Sequence, residues 1–378
     1  MRSADAVVRF LERQLPPGSA ARNAARSAKH VVDRTHHLAG ERFPHLIKPR
    51  PKQLTVAVTA ACNLRCKGCN YPQGFMDRAS LPLQTLCDAL DDAVAGGMSV
   101  ARFYGGEPLL HKDIAKIVEH SVRRGLRTYL TTNGIHLGLK IDALHAAGLR
   151  LATIGFYGVG DRYDDYVQRQ GHYRRLEESL SVVRERYGSD MELQLNFVLT
   201  RETCNVAAVD AAWGFAQRFD MHFHIDLVSF SVPFFNTGPN DELPFKPGDR
   251  DRLVPVAARL LELKEQDPQR FVHSRTFIRS IPDWVLLQHE MRVPCDAYEM
   301  IWIGADGTVQ LCDVSFVLGN LHEQRLGDIL YSQAHRQACS DGFQLKCPNC
   351  ICRVETRTNK HWPSVIKYRA SAGVGHVA

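Results

Sequence analysis

The chain has 378 residues, of which 44% are hydrophobic and 23% are charged, and its formal net charge is +6. This length and composition suit one large globular domain with a smaller second one. The basic excess is too weak to indicate nucleic-acid binding, and it equally suits a pocket for an anionic substrate. No run approaches the roughly 18 apolar residues of a membrane span. No signal peptide follows Met1, so we expect a cytoplasmic protein.

Residues 1–50 are predicted to form a helical extension. A first helical pattern runs from Val7 to Leu15 and ends at Pro16, and a second covers about 20–38. Their basic side chains suit a solvated face of helices packed on the main domain. A membrane surface or an acidic partner is the alternative.

Strand patterns alternate with helix patterns from residue 54 onwards. The predicted strands are 54–59, 100–104, 126–132, 150–157, 191–199 and 222–228. The predicted helices between them are 82–96, 112–124, 137–147, 171–187 and 204–219. Six such units in series predict an α/β fold, a partial (β/α)6 TIM-like barrel over 51–235. In such folds the chemistry lies at the carboxyl ends of the strands.

Two of these strands carry polar residues on one face. Strand 222–228 alternates apolar residues with His222, His224 and Asp226. Strand 191–199 does the same with Glu192, Gln194 and Asn196. Because helices cover the outside of the barrel, we expect the polar faces to point into it. A substrate cavity and an internally satisfied hydrogen-bond network both remain open.

Three cysteines at the spacing C-x3-C-x2-C directly follow the first strand, at Cys62, Cys66 and Cys69. Three thiolates can hold three irons of a [4Fe–4S] cluster and leave the fourth iron open for chemistry. The alternatives are a zinc site with a fourth ligand from elsewhere, and three small hydrophobic side chains on a buried helix face. Gly68 and Asn63 are poor helix formers, which weakens the last alternative.

A second group of cysteines lies near the carboxyl terminus. We predict a linker and crossover helix over 236–290, a cysteine module over 291–362 and a tail over 363–378. Inside the module, strand patterns on both sides of Asp306-Gly307 predict a hairpin.

The base of this hairpin brings together two potential ligands, and a C-x2-C pair completes a site of four: Cys295, Cys312, Cys347 and Cys350. A zinc ribbon is the alternative, but the first cysteine loop favours a fully ligated [4Fe–4S] cluster. Cys339 and Cys352 lie close enough in sequence to replace one of these ligands. Tight cysteine spacings in a long chain indicate metal or redox sites in a reducing compartment, not a disulfide framework. The isolated Cys87 and Cys204 are expected to be core thiols, with hydrogen-atom donation as the alternative for Cys204.

The cysteine loop, the stretch Gly105-Gly106-Glu107-Pro108 and the stretch Thr132-Asn133-Gly134 together resemble the radical S-adenosylmethionine (SAM) enzymes over about 54–230. The resemblance implies that SAM binds the open iron and that Gly105, Gly106 and Glu107 bind its methionine part. It also implies a ribose contact by Asn133 and a further cofactor contact by Asn196. In such enzymes an electron from the cluster cleaves SAM to a 5′-deoxyadenosyl radical, which abstracts a hydrogen atom. The electron comes from a reductase or a flavodoxin- or ferredoxin-type donor.

The cysteine module resembles the auxiliary-cluster modules of this family, which are called SPASM or, in a shorter form, twitch. The match consists of Cys295, Gly307 followed by Cys312, Gly319-Asn320-Leu321, and the pair Cys347 and Cys350. The full form needs more cysteines for two clusters than remain here. We therefore predict one auxiliary [4Fe–4S] cluster.

Two positions depart from the family pattern. Gly68 stands where relatives often place an aromatic residue against the adenine, and Tyr71 is a candidate substitute. The fourth strand ends in Gly155-Phe156-Tyr157-Gly158, where many relatives have a serine that helps to hold SAM.

These features predict a radical SAM enzyme of oxidoreductase type. We expect a polar small-molecule substrate of the sugar, aminocyclitol or nucleotide type, because the barrel interior is predicted to be polar. Modification of a ribosomally made peptide or protein is the alternative. A non-catalytic zinc or redox-binding protein is a third possibility.

Overall fold

The computed structural model describes residues 19–76, 79–228, 235 and 243–369. The predicted helix at 7–15 lies outside these residues. Helix α1 spans Ala20–Arg42, four residues beyond its predicted end. Two of its basic side chains make polar contacts with other residues of this protein. Lys29 Nζ lies 2.7 Å from Asp33 Oδ2, and Arg34 Nε donates to the Asn359 carbonyl oxygen at 3.0 Å.

Six parallel strands form the predicted open barrel, in which every strand pairs with its neighbour in sequence. Since the two ends of the sheet do not pair with each other, the fold class is confirmed. The strands are β1 Gln53–Thr59, β2 Val100–Gly105, β3 Arg127–Thr132, β4 Leu151–Phe156, β5 Glu192–Leu199 and β6 His222–Leu227.

The outer layer consists of helices whose apolar residues pack against the sheet, such as Leu86, Leu90 and Ala93, which are at most 1% exposed. The helices are α2 Leu83–Ala95, α3 Ile114–Arg123, α4 Leu137–Ala146, α5 Asp161–Val167, α6 His172–Tyr187 and α7 Val206–Arg218. The short helix α5 was not predicted. It follows β4 and lies at the mouth of the barrel, next to the cysteine loop.

The carboxyl-terminal part does not form a separate layer, because its hairpin extends the barrel sheet. Strand β7 pairs in parallel with β1, with Met300 opposite Gln53 and Ile303 opposite Val56. Strands β8 and β9 follow in antiparallel order. This part contains α8 Arg250–Gln266, α9 Arg275–Leu287, β7 Met300–Ile303, β8 Thr308–Gln310, β9 Val317–Asn320, α10 Leu326–Ile329, α11 Gln333–Phe343, α12 Val354–Lys360 and α13 Trp362–Lys367.

A buried ionic network fastens this part to the barrel. Asp296 is fully buried, and Arg353 Nε and Lys360 Nζ lie 2.7 and 2.6 Å from its two carboxylate oxygens. Glu299 accepts from Lys360 Nζ at 2.8 Å on one oxygen and from Lys52 Nζ at 2.8 Å on the other. Since Lys52 directly precedes β1, the network joins the start of the central strand to the segments that carry Cys295 and Cys352. No helix in the described part of the chain is long and apolar enough to cross a membrane.

Candidate active site and second cysteine site

The three-cysteine loop is irregular rather than helical, so its cysteines do not form the stripe of a buried helix. The backbone of α5 holds it from one side. Arg65 N donates to the Val167 carbonyl oxygen at 3.2 Å and Lys67 N to that of Tyr166 at 2.9 Å. The loop therefore lies at the carboxyl end of β1, where the fold predicts chemistry.

Gly105 and Gly106 bring the end of β2 into direct contact with the start of this loop. A Cβ atom on Gly105, whose φ is +129°, would lie 2.4 Å from the Thr59 carbonyl oxygen. One on Gly106 would lie 2.4 Å from the carbonyl oxygens of both Ala60 and Ala61. These glycines were expected, from the family resemblance, to bind the methionine part of SAM. In the structure, the close approach that requires them is to the neighbouring strand.

Glu107 connects β2 to β3 through a fully buried carboxylate. Its Oε1 accepts from Thr132 Oγ1 at 2.6 Å and from Leu109 N at 3.0 Å, and its Oε2 accepts from Asn133 N at 2.8 Å. Burial raises the pKa of this carboxyl group, while these hydrogen bonds act in the opposite direction. Because both carboxylate oxygens accept hydrogen bonds from the protein, Glu107 holds the end of β3 in place beside the cysteine loop.

Asn133 continues the connection from β3 to the cysteine loop. Its Nδ2 donates to Asn63 Oδ1 at 2.8 Å, and its Oδ1 accepts from Ile135 N at 3.0 Å. The structure thus brings Gly105, Gly106, Glu107 and Asn133 together around the three cysteines. Asn196 lies on β5, where its Oδ1 accepts from Gln194 Nε2 at 2.8 Å. None of its described hydrogen bonds reaches the loop.

Three tyrosines surround Cys66, and the sequence interpretation did not identify them. The Tyr157 hydroxyl lies close enough to Cys66 to favour its thiolate, and the Tyr157 ring stacks on Tyr166 with centroids 4.2 Å apart. The Tyr163 hydroxyl is buried nearby and has no hydrogen-bond partner among the described residues. The departure at Gly155-Phe156-Tyr157-Gly158 was the available signal. A phenol here occupies the place where a smaller hydroxyl was expected.

Burial keeps the three thiols protonated while no metal is bound. It raises the pKa of Cys62 to about 12 and raises those of Cys66 and Cys69 as well. Metal binding must therefore release these protons, and a cluster would supply the positive charge that buried thiolates need. The buried Tyr163 hydroxyl, together with the three thiols, leaves polar atoms for such a group to bind.

Gly68 is covered by Phe235 and not by Tyr71. A Cβ atom on Gly68, whose φ is +78°, would lie 2.6 Å from Phe235 Cζ, and Phe235 forms an isolated antiparallel bridge with Cys69. Tyr71 is instead buried, with its hydroxyl 3.2 Å from Met76 Sδ. The ring beside Gly68 therefore comes from a segment far along the chain, and no local sequence pattern predicts this contact.

The barrel interior is polar, as the strand pattern predicted. Arg102 on β2 donates from Nε to Thr131 Oγ1 at 2.9 Å, and its guanidinium lies 5.0 Å from the centroid of the Tyr104 ring. Asp226 on β6 and Asp313 in the cysteine module both lie close enough to Arg102 to interact with its charge. Burial raises the pKa of each carboxyl group, whereas this charge lowers it. The cysteine module thus contributes to the lining of the barrel interior.

The second cysteine set lines one cavity. Its lining includes all four predicted ligands. Burial raises the pKa of Cys295 to about 11 and also raises that of Cys312. Among the described residues, no three histidine, cysteine or carboxylate side chains converge on a point where they would bind a single ion. Thiols spread around a cavity suit a cluster better than one zinc ion.

The two alternative ligands do not line this cavity but lie next to it. Cys339 is fully buried in an apolar cluster with Ile47, Leu311 and Phe343, against which Cys295 and Cys312 pack. Cys352 lies beside Cys350, and its Sγ is 3.9 Å from Asp313 Oδ2.

Comparisons with known proteins agree with both sites. The chain matches the family model of the radical SAM superfamily over residues 56–201 and that of the SPASM iron–sulfur cluster-binding domain over residues 295–353. It is 30% identical to a PqqA peptide cyclase of Ruegeria pomeroyi over 166 residues, which cover 43% of this chain and 44% of that protein. It is 35% identical to a GTP 3′,8-cyclase of Peptoclostridium acidaminophilum over 156 residues, covering 40% and 47%. The chain therefore spans less than half the length of these curated relatives.

Two solved structures share its fold. Streptococcus suis SuiB bound to the precursor peptide SuiA superposes with a TM-score of 0.60 at 18% identity, covering 85% of this chain and 75% of that chain. The enzyme anSMEcpe with bound AdoMet superposes with a TM-score of 0.58 at 18% identity, covering 84% and 92%. At this level of identity the likeness concerns the fold alone.

Proposed function

Because this chain is a radical SAM protein with a carboxyl-terminal SPASM domain, we propose that it modifies a ribosomally made peptide or protein at a C–H bond. The similarity to a PqqA peptide cyclase carries this proposal, since that relative acts on a peptide and is 30% identical to this chain over the 166 matched residues. The sugar or aminocyclitol substrate expected from the sequence has no such support. A polar barrel interior equally suits a polar side chain of a peptide.

The first site would generate the reactive species. Cys62, Cys66 and Cys69 would hold a [4Fe–4S] cluster, which with SAM at its open iron supplies a 5′-deoxyadenosyl radical that abstracts hydrogen. Around it, Glu107 and Asn133 fix the strand ends that border the loop. Tyr157 and Tyr166 cover Cys66 and exclude water from that side.

The second site would hold one auxiliary [4Fe–4S] cluster on Cys295, Cys312, Cys347 and Cys350. Asp313 follows one of these ligands, and while burial raises its pKa, it lies close enough to Arg102 for the guanidinium charge to lower that pKa. The auxiliary cluster would therefore border the barrel interior. Acceptance of an electron from the modified substrate, which would make the enzyme an oxidoreductase, and direct contact with the substrate are both compatible with this position.

A nucleotide substrate is the second candidate, because the chain is also 35% identical to a GTP 3′,8-cyclase over 156 residues. The Arg102 guanidinium, stacked over Tyr104, provides a cation in the barrel interior that suits an anionic ligand.

Deuterium transfer distinguishes these substrates. The protein, purified and reduced without oxygen, is incubated with SAM and either a uniformly deuterated candidate peptide or a deuterated nucleotide. We expect deuterium in 5′-deoxyadenosine only with the peptide. The Cys66→Ala variant is the control and should yield no 5′-deoxyadenosine. Deuterium from the nucleotide alone would replace the peptide reading, and cleavage of SAM by Cys66→Ala would refute the assignment of the first site.

A further inference from the structure

Arg357 on α12 is a buried cation in the wall of the second cysteine site. The residue is 1% exposed, and it lines the same cavity as Cys295, Cys312, Cys347 and Cys350. It lies four residues beyond residue 353, where the match to the iron–sulfur domain ends. It belongs neither to the cysteine pattern nor to the barrel interior.

The partners of this guanidinium are all neutral. Its Nη1 donates to the Cys350 carbonyl oxygen at 2.6 Å, and its Nη2 donates to the Val293 carbonyl oxygen at 2.6 Å and to Asn349 Oδ1 at 2.9 Å. The guanidinium carbon lies 4.8 Å from the centroid of the Trp284 ring. Its Nε is buried and has no hydrogen-bond partner among the residues that the structure describes.

No carboxylate in the described part of the chain comes within ion-pair distance of Arg357. Arg353, one helical turn earlier, shows the contrast. Its side chain is also largely buried, but Asp296 and Glu299 lie 2.7 and 3.4 Å from it. A buried charge without a counter-ion and a buried N–H without an acceptor both destabilise the folded protein. Such a group is stable when an anion shares its cavity.

We propose that Arg357 is a positioning residue of the auxiliary cluster, which it neutralises by its charge and to whose sulfur its Nε–H donates. This rests on the proposed auxiliary cluster. A cluster with four thiolate ligands carries net negative charge, and reduction adds one more. A fixed cation beside it therefore stabilises the reduced state and raises the reduction potential.

Redox titration followed by electron paramagnetic resonance tests this role. Arg357→Gln removes the charge, Arg357→Lys keeps the charge, and Arg336→Gln on α11 removes an exposed arginine as the matched control. A triple variant with alanine at Cys62, Cys66 and Cys69 identifies the auxiliary signal. We expect Arg357→Gln to lower the equilibrium constant for one-electron reduction of that cluster at least tenfold. This corresponds to a fall of about 59 mV in its reduction potential. The reduction potential should fall less in Arg357→Lys and should not change in the Arg336→Gln control.

A shift below threefold, about 28 mV, in fully loaded Arg357→Gln would overturn the inference. If this variant fails to bind iron, the wild-type protein labelled with [15N]arginine decides. Its reduced auxiliary cluster should show a weak ¹⁵N coupling that Arg357→Lys abolishes, and no coupling in the wild type would refute the contact. If the triple cysteine variant contains no iron, the proposed auxiliary cluster itself fails, which is a separate result.

Discussion

Substitution of Asp296 by asparagine tests whether the buried ionic network holds the cysteine module on the barrel. The change keeps the shape of the side chain but removes the charge that compensates Arg353 and Lys360. Breaking a buried ion pair by removing one partner costs about 3–5 kcal/mol. Glu299 remains 2.8 Å from Lys360 and 3.4 Å from Arg353, so part of the compensation survives. We therefore expect the lower end, about 3 kcal/mol, or more than a hundredfold in the unfolding equilibrium.

Urea unfolding monitored by tryptophan fluorescence measures this effect, because Trp302 and Trp284 are buried in the module and its neighbours. Asp91→Asn is the matched control, since its carboxylate is 40% exposed and faces an exposed Arg124. Its unfolding midpoint should equal that of the wild type. A loss below about 1 kcal/mol for Asp296→Asn would place its carboxylate among weak surface pairs and refute the proposed role of the network.

Three further changes follow from the site geometry. Gly106→Ala should prevent iron binding at the first site, because the added Cβ would lie 2.4 Å from two backbone carbonyl oxygens. Iron analysis checks this against Gly214→Ala, where nothing lies within 4 Å, and equal iron would contradict it. Tyr157→Phe removes a hydroxyl that favours the Cys66 thiolate, so the reduction potential of the first cluster alone should fall, and an unchanged potential would refute that effect. The free energy of unfolding should decrease from pH 6.5 to 4, since the unfolded chain binds protons that the folded chain does not. Urea midpoints measure it, and the responsible groups are buried histidines whose pKa falls to about 4, His37, His335 and His361.

The helices and strands were predictable because each one has a periodic pattern of apolar residues. Period-two and period-3.6 patterns with glycine after the helices predicted the six strands and their helices to within about two residues. Order along the sheet followed from the short right-handed crossovers. The pairing of β7 with β1 was not predictable, since β7 reads as one half of a hairpin. Nothing in Met300–Ile303 indicates that its other edge is also covered.

The site was predictable where residues are close in sequence and missed where they meet only in the fold. Cys62, Gly106 and Asn133 belong to short motifs, and the structure brings them together. Phe235 and Arg357 belong to no motif. Phe235 reaches Gly68 across more than 160 residues, and the role of Arg357 depends on which carboxylates are absent from its surroundings. Such facts arise from packing, which a linear pattern does not record.

The central strand also explains how two cysteine sites in different parts of the chain keep a fixed relation. Strand β1 ends in the loop of Cys62, and β7, which pairs with it, begins five residues after Cys295. A slip of one residue between them would reverse the faces of Trp302 and Ile303. Trp302 would then leave Tyr104, whose hydroxyl accepts its indole N–H at the edge of the barrel interior. The register of one strand pair, rather than a linker, therefore sets the distance between the two sites.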